Sequence, residues 1–416
     1  MTMNAKRRRT HDKLARLPGV RPVRRPVSPG SAEEFDLYYV RAGRKSTHPL
    51  VIIPGGPGVA SVLMYQGFRR RAAAAGLDVI MIEHRGVGMS RHDDSGADLP
   101  PEAITVEEVV DDVAAVLEDA HVDSAVLYGT SYGTYIAAGV GVRHPGRVRS
   151  MILDSPLLSR HDIAMVRDAV RGLLLAGDGP ESAALAPKMR KLVDAGVMTA
   201  SAGELAAWMY GYGGPALLDR QLNLLLDGRT LLWHTLSRST KILNRKVPYR
   251  FEADLVSRIA FRELDYAAEP DGLPLDPAVA LRETLSPTAA FEAEPFDLAA
   301  EMPKFDWPTV LLSGGRDLVT PPAVARRIAS LIPGAVLLTL PTMAHSALDF
   351  REPAALAVIA AVWDGAPSRL VGQGARLDAL PPRTGVRLLW KALDAAAAVE
   401  GALPYPAPLR RRLRTA

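Results

Sequence analysis

The chain has 416 residues, 48% of them hydrophobic and 23% charged, which is enough apolar content for one large core with an elaborate insertion or for two domains. It contains no cysteine, so disulfides, thiolate metal sites and thiol nucleophiles are excluded. The net charge of +4 hides an asymmetry: residues 1–29 hold nine Lys or Arg against one Asp, residues 409–416 hold four Arg, and the body between is left at −8.

Basic ends can serve nucleic acid or anionic lipid. These ends lack interleaved aromatic residues and any nucleic-acid-binding signature. Residues 1–34, and the basic Pro-rich end of 366–416, are therefore expected to be solvated and disordered. No apolar segment follows the basic run 6–9, and no stretch nears 18 uninterrupted apolar residues, so neither an export signal nor a membrane span is expected. The default compartment is the cytoplasm.

In chain order, residues 35–40 alternate enough for an early strand, and Leu50, Val51, Ile52 and Ile53 form a wholly apolar run suited to burial on both faces. That run ends in Pro54-Gly55-Gly56-Pro57-Gly58, a loop whose backbone can approach a ligand and present an amide. The next run, 79–82, leads into Glu83-His84-Arg85-Gly86-Val87-Gly88-Met89-Ser90, a second glycine-rich turn. Thr105 and Glu108 fit a capping box, and Val106, Val109, Val110, Val113, Val116 and Leu117 form the apolar stripe of the helix that follows. Four apolar residues, 125–128, then run into Gly129-Thr130-Ser131-Tyr132-Gly133 and a small-residue helix. Strand character returns at 151–154, 309–312 and 336–340. Strands alternating with helices predict an α/β fold with a mostly parallel, doubly wound sheet, its core in 35–155 and 305–365. Residues 156–304 carry helical patterns at 162–175, 204–210, 216–226 and 253–264 together with many aromatic residues, as a helical lid would. The remainder, 366–416, holds a helix at 386–399 and the basic end.

The G-x-S-x-G string between strand and helix has the form of a nucleophile elbow. A serine hydroxyl needs a base, and the base needs a carboxylate to fix its tautomer. In this fold they follow in the order Ser, acid, His. Ser131, Asp317 and His345 do so, each just past a predicted strand, at the sheet edge where ligands bind. Asp154 is the rival acid. His84, upstream of the serine, is expected to shape the pocket wall.

These motifs resemble those of the proline iminopeptidase and tripeptidyl aminopeptidase family of serine peptidases, which have the α/β-hydrolase fold. Pro54-Gly55-Gly56-Pro57-Gly58 is similar to the family's H-G-G-P-G, 84–90 to its Q-R-G-x-G-x-S, and Gly315-Arg316-Asp317-Leu318-Val319-Thr320-Pro321 to its acid-bearing segment. Pro54 stands where the family has histidine, and Ala344 where glycine usually precedes the catalytic histidine. The resemblance implies an oxyanion hole from the amides of Gly56 and Tyr132, and lid carboxylates that bind a substrate ammonium. Glu263 resembles such a carboxylate; Glu204 is already accounted for by a capping box with Ser201. The expected activity is that of a serine hydrolase working through an acyl-enzyme, first an aminopeptidase releasing N-terminal residues from short peptides. A carboxylesterase or lactonase is the alternative, and a non-catalytic ligand-binding protein the third. No cofactor or metal is implied, and the expected partner is a small-molecule or short-peptide substrate rather than nucleic acid or membrane.

Overall fold

A single sheet of eight strands organises the computed structural model, which describes residues 3–243, 246–285, 287 and 289–404. The strands are β1 (Val20–Pro26), β2 (Glu34–Ala42), β3 (Leu50–Ile53), β4 (Val79–Ile82), β5 (Ala125–Thr130), β6 (Val148–Asp154), β7 (Thr309–Gly314) and β8 (Val336–Leu340). Their spatial order is β1-β2-β4-β3-β5-β6-β7-β8. The β1–β2 and β2–β4 pairs are antiparallel, and every later pair is parallel. This is the mostly parallel α/β sheet that the alternation of strands and helices predicts, in the α/β-hydrolase arrangement that the resemblance implies.

Side chains of a strand alternate between faces, so a strand covered on both sides must be apolar throughout. In β5, Ala125 and Leu127 enter one core while Val126 and Tyr128 enter the other. β6 and β7 divide in the same way, with Leu153 and Leu311 on the first face and Ile152 and Leu312 on the second. Helix Val106–Asp119 covers the first face with the predicted valine stripe. Its Thr105 cap accepts from the Glu108 amide at 3.2 Å. The Glu108 side chain does not return to the cap but pairs with buried Arg85 at 2.8 Å.

The expectation of a disordered tail over residues 1–34 is overturned. Residues Ala5–Ala15 form a helix capped by Asn4, and β1 pairs with β2 along its whole length, from Val20 opposite Val40 to Pro26 opposite Glu34. The reason is long-range charge pairing. Arg7 makes a bidentate contact with fully buried Glu252 at 2.5 and 3.0 Å, Arg25 reaches Asp112 at 2.8 Å, and Arg24 reaches Asp94 at 2.6 Å. Three of the nine cations of the segment are thus paired with acids of the body. The basic run at 409–416 lies outside the described residues.

Between β6 and β7 the chain is helical, and among the described residues it holds no strand beyond isolated bridges. This lid has its own core, built from residues such as Leu174, Met189, Leu218 and Leu222. Three of its helices widen into π-turns at Gly172–Ala176, Met209–Gly213 and Ile259–Glu263. The C-terminal helix, Thr384–Ala402, packs into the lid core through Ala397 rather than onto the sheet. Among the described residues no helix is long and apolar enough to cross a membrane.

Candidate active site

Ser131 sits between β5 and helix Tyr132–Arg143 at φ 52° and ψ −125°. A non-glycine residue held in so sparsely populated a region costs about 1–3 kcal/mol, which the surroundings must offset. Here the Ser131 amide donates to Asp154 O at 2.9 Å. Its carbonyl accepts from the Thr134 amide at 2.8 Å and from the Thr134 hydroxyl at 2.6 Å. Both flanking glycines are obligatory: a Cβ on Gly129 would lie 2.3 Å from Gly133 O, and one on Gly133 would lie 2.0 Å from Ile53 O. The turn is therefore sharp because two backbones pass where a side chain would otherwise stand.

Asp317 and His345 lie in the loops that follow β7 and β8. His345 Nδ1 is 2.9 Å from Asp317 Oδ2. The other carboxylate oxygen of Asp317 accepts from the amides of Val319 and Thr320, both at 2.9 Å, and the Thr320 hydroxyl donates to Oδ2 at 3.0 Å. Burial alone would push the Asp317 carboxyl up; the charge and hydrogen bond of His345 and the two amides hold it below its ordinary value instead. Burial likewise opposes a charged His345 ring, yet Asp317, with help from Asp154 and Asp349, raises its pKa above the ordinary one. An anionic carboxylate next to Nδ1 fixes the ring with Nε2 free to accept a proton.

Asp154, the rival acid, is occupied elsewhere. Its oxygens accept from the amides of Ala347 and Leu348, both at 3.0 Å, and from the Tyr128 hydroxyl at 2.8 Å. It braces the turn after His345 from beneath.

Ser131, Asp317, His345 and Gly56 line one cavity of about 440 Å³, roofed by the lid. Its walls are mainly apolar, with Ile163, Val166, Trp208, Phe251, Leu264 and Leu281 among the lid contributions. Tyr132 supplies the first amide of its helix, one of the N–H groups a helix leaves without an internal partner. Its ring is buried, and its hydroxyl lies 2.9 Å from His84 Nε2.

Two expectations for substrate contacts are corrected. His84 is absent from this cavity; it lies under the elbow against Tyr132 and borders a separate small void beside Arg85. Burial lowers its pKa to about 4, so it stays neutral. Glu263 is not at the cavity either. One of its oxygens accepts from the Val106 amide at 2.7 Å, at the positive end of helix Val106–Asp119, and the other pairs with Arg262 at 2.6 Å. It is a helix cap supplied from 157 residues away.

Glu204, set aside by sequence, does reach the cavity. The true cap of its helix is Thr199, which accepts from the Ala202 amide at 3.3 Å, and Ser201 turns to Glu283 instead. Among the described residues Glu204 has no hydrogen-bond or ion-pair partner, and burial raises its pKa. Sequence reasoning also missed Thr320 and Tyr212. Thr320 stood inside a motif already singled out, and Tyr212 counted only as one of the lid's many aromatic residues.

The sheet, the elbow and the loops that carry Asp317 and His345 together have the α/β-hydrolase fold. The family model described as the alpha/beta hydrolase fold matches residues 48–176. Rhodomycin D methylesterase DnrP of Streptomyces peucetius is 27% identical over 329 residues, spanning 79% of this chain and 95% of its own length. A proline iminopeptidase of Arabidopsis thaliana is also 27% identical, over 142 residues; that match spans 32% of this chain and 34% of the plant protein. The solved proline iminopeptidase of Mycobacterium smegmatis covers 90% of this chain and 100% of its own at 16% identity, with a TM-score of 0.45.

Proposed function

We propose that the protein is a serine hydrolase that cleaves carboxylic esters with a bulky apolar acyl or alcohol part through an acyl-enzyme. The observation that carries this reading is the roughly 440 Å³ apolar cavity with Ser131, Asp317 and His345 in its wall. In the proposed cycle Ser131 Oγ attacks the ester carbonyl while His345 Nε2 takes its proton. The amides of Gly56 and Tyr132 receive the oxyanion, aided by the positive end of the Tyr132–Arg143 helix. His345 then protonates the departing alkoxide, and water repeats the sequence on the acyl-enzyme. Asp317 stays ionised and stabilises the imidazolium. The relative matched along nearly its whole length bears a methylesterase's name, which favours esters.

A second reading, aminopeptidase action on short peptides, has one specific support. Among the described residues Glu204 is a carboxylate without a hydrogen-bond or ion-pair partner in a mainly apolar wall, as a site for a substrate ammonium would require. Glu263 no longer contributes to it.

A substrate panel separates the two. Aryl esters of increasing acyl size and aminoacyl-anilides with free and blocked amines are compared on the wild type and on Glu204→Gln. The ester reading expects turnover of esters with blocked or absent amines and little effect of the substitution. Turnover confined to free-amine substrates, and lost in Glu204→Gln, would overturn it in favour of the peptidase.

A further inference from the structure

Tyr212 lies in the lid's second π-turn, yet its hydroxyl donates to the carbonyl oxygen of His345 at 3.1 Å. The lid backbone comes as close. A Cβ on Gly211 would stand 3.0 Å from Ala344 Cβ and 3.2 Å from Arg316 O, so the π-turn touches both the loop of the base and the loop of the acid. The Tyr212 ring is gripped by Phe350 with centroids 4.4 Å apart and by Trp208 at 4.7 Å. Behind it Trp390 stacks at 5.9 Å with planes 2° apart.

Trp390 belongs to the C-terminal helix Thr384–Ala402, which is fastened to the lid at several further points. Glu400 accepts from the amides of Leu231 and Leu232, both at 2.8 Å, and so caps the lid helix Leu231–Leu243. Asp394 accepts from Arg220 at 3.1 Å. The helix therefore fixes one face of the lid while Trp390 stacks against the Tyr212 ring that bonds the histidine loop. A general base works only when held within a fraction of an ångström of its productive position. Asp317 secures the ring of His345 and leaves its backbone to other contacts.

We propose that Tyr212 is a positioning residue for His345, and that the C-terminal helix, through Trp390, is the clasp that holds it there. Lid and base are then one mechanical unit: displacing the helix loosens the histidine although neither touches the other. This inference rests on His345 acting as the general base of the proposed hydrolase.

The test uses the full chain, an ester it turns over, and the variants Tyr212→Phe, Trp390→Phe, Trp390→Ala and the double variant Tyr212→Phe/Trp390→Ala. Ser131→Ala and His345→Ala are measured first; if either retains activity, the proposed serine-hydrolase reading itself fails, a result distinct from any below. Tyr212→Phe keeps the ring and removes one neutral hydrogen bond, so kcat should fall about three- to tenfold with little change in KM and in melting temperature. The acid limb of the pH profile should move to lower pH. Asp317, Asp154 and Asp349 all face His345 and raise its pKa, and a base less firmly seated against Asp317 loses part of that help. Trp390→Ala should reproduce both changes, Trp390→Phe should largely restore wild-type values, and the double variant should lose no more than the worse single one. Wild-type kcat and an unmoved limb in Tyr212→Phe, or additive losses in the double variant, would overturn the proposal. So would a fall in melting temperature without a change in kcat.

Discussion

Replacing Asp317 by Asn tests the site most sharply, because the surroundings dictate which way the amide must turn. Oδ1 accepts from two backbone amides, those of Val319 and Thr320. The asparagine oxygen has to remain there, since an NH₂ group would face two fixed donors. Its NH₂ is then left where Oδ2 now meets His345 Nδ1 at 2.9 Å. A donor in that place forces Nδ1 to be the bare nitrogen and puts the proton on Nε2, the tautomer unable to accept one from Ser131. A reversed tautomer of this kind costs about 10⁴ in kcat, or about 5 kcal/mol of barrier. The same change removes the negative charge that raises the pKa of His345, so the remaining activity should reach half its maximum at a lower pH than in the wild type. Steady-state rates on an aryl ester between pH 5 and 9, with unfolding followed in parallel, measure both effects. A folded Asp317→Asn enzyme within tenfold of wild type, its acid limb unmoved, would refute the assignment of Asp317.

Other consequences are as direct. Ser131→Ala should lower kcat by about 10⁶ while leaving the cavity able to bind substrate; residual turnover near wild type would remove the nucleophile. In the wild type, kcat/KM should rise with pH as His345 loses its proton, and the midpoint should lie above the ordinary histidine value of about 6.5, because the neighbouring carboxylates raise it. A midpoint below that value in the pH–rate profile contradicts the pairing with Asp317. Arg7→Met leaves the fully buried Glu252 without its bidentate partner and should cost about 3–5 kcal/mol in urea unfolding. A loss under about 1 kcal/mol would return the N-terminal segment to the status of a loose appendage.

What could be read from sequence was local. The elbow was legible because Gly129 and Gly133 flank a serine set between an apolar strand and a small-residue helix, and Asp317 and His345 because both stand just past apolar strands. The order of Ser131, Asp317 and His345 did the rest. Charge was misread wherever the partner was distant. Arg7 and Glu252 are 245 residues apart, and Arg25 and Asp112 are 87 apart, so a run of cations looked unpaired. β1 was hidden for a second reason: Pro22 and Pro26 belong on an edge strand, where a missing amide costs nothing, but in sequence they read as breaks. Glu263 was placed at a substrate site because its true neighbour, the Val106 amide, is visible only once the lid is folded over the core.

The wide turns at Gly172–Ala176, Met209–Gly213 and Ile259–Glu263 give the lid an unusual way to change. Each is the last turn of its helix and accommodates one residue more than a regular helical turn, so excising a single amino acid there would tighten the turn and withdraw the side chains it now presents. Met209–Gly213 and Ile259–Glu263 carry wall residues of the cavity, among them Tyr212 and Ala260. One codon lost or gained at such a turn can therefore redraw the chamber above Ser131 while the sheet that carries the nucleophile stays as it is.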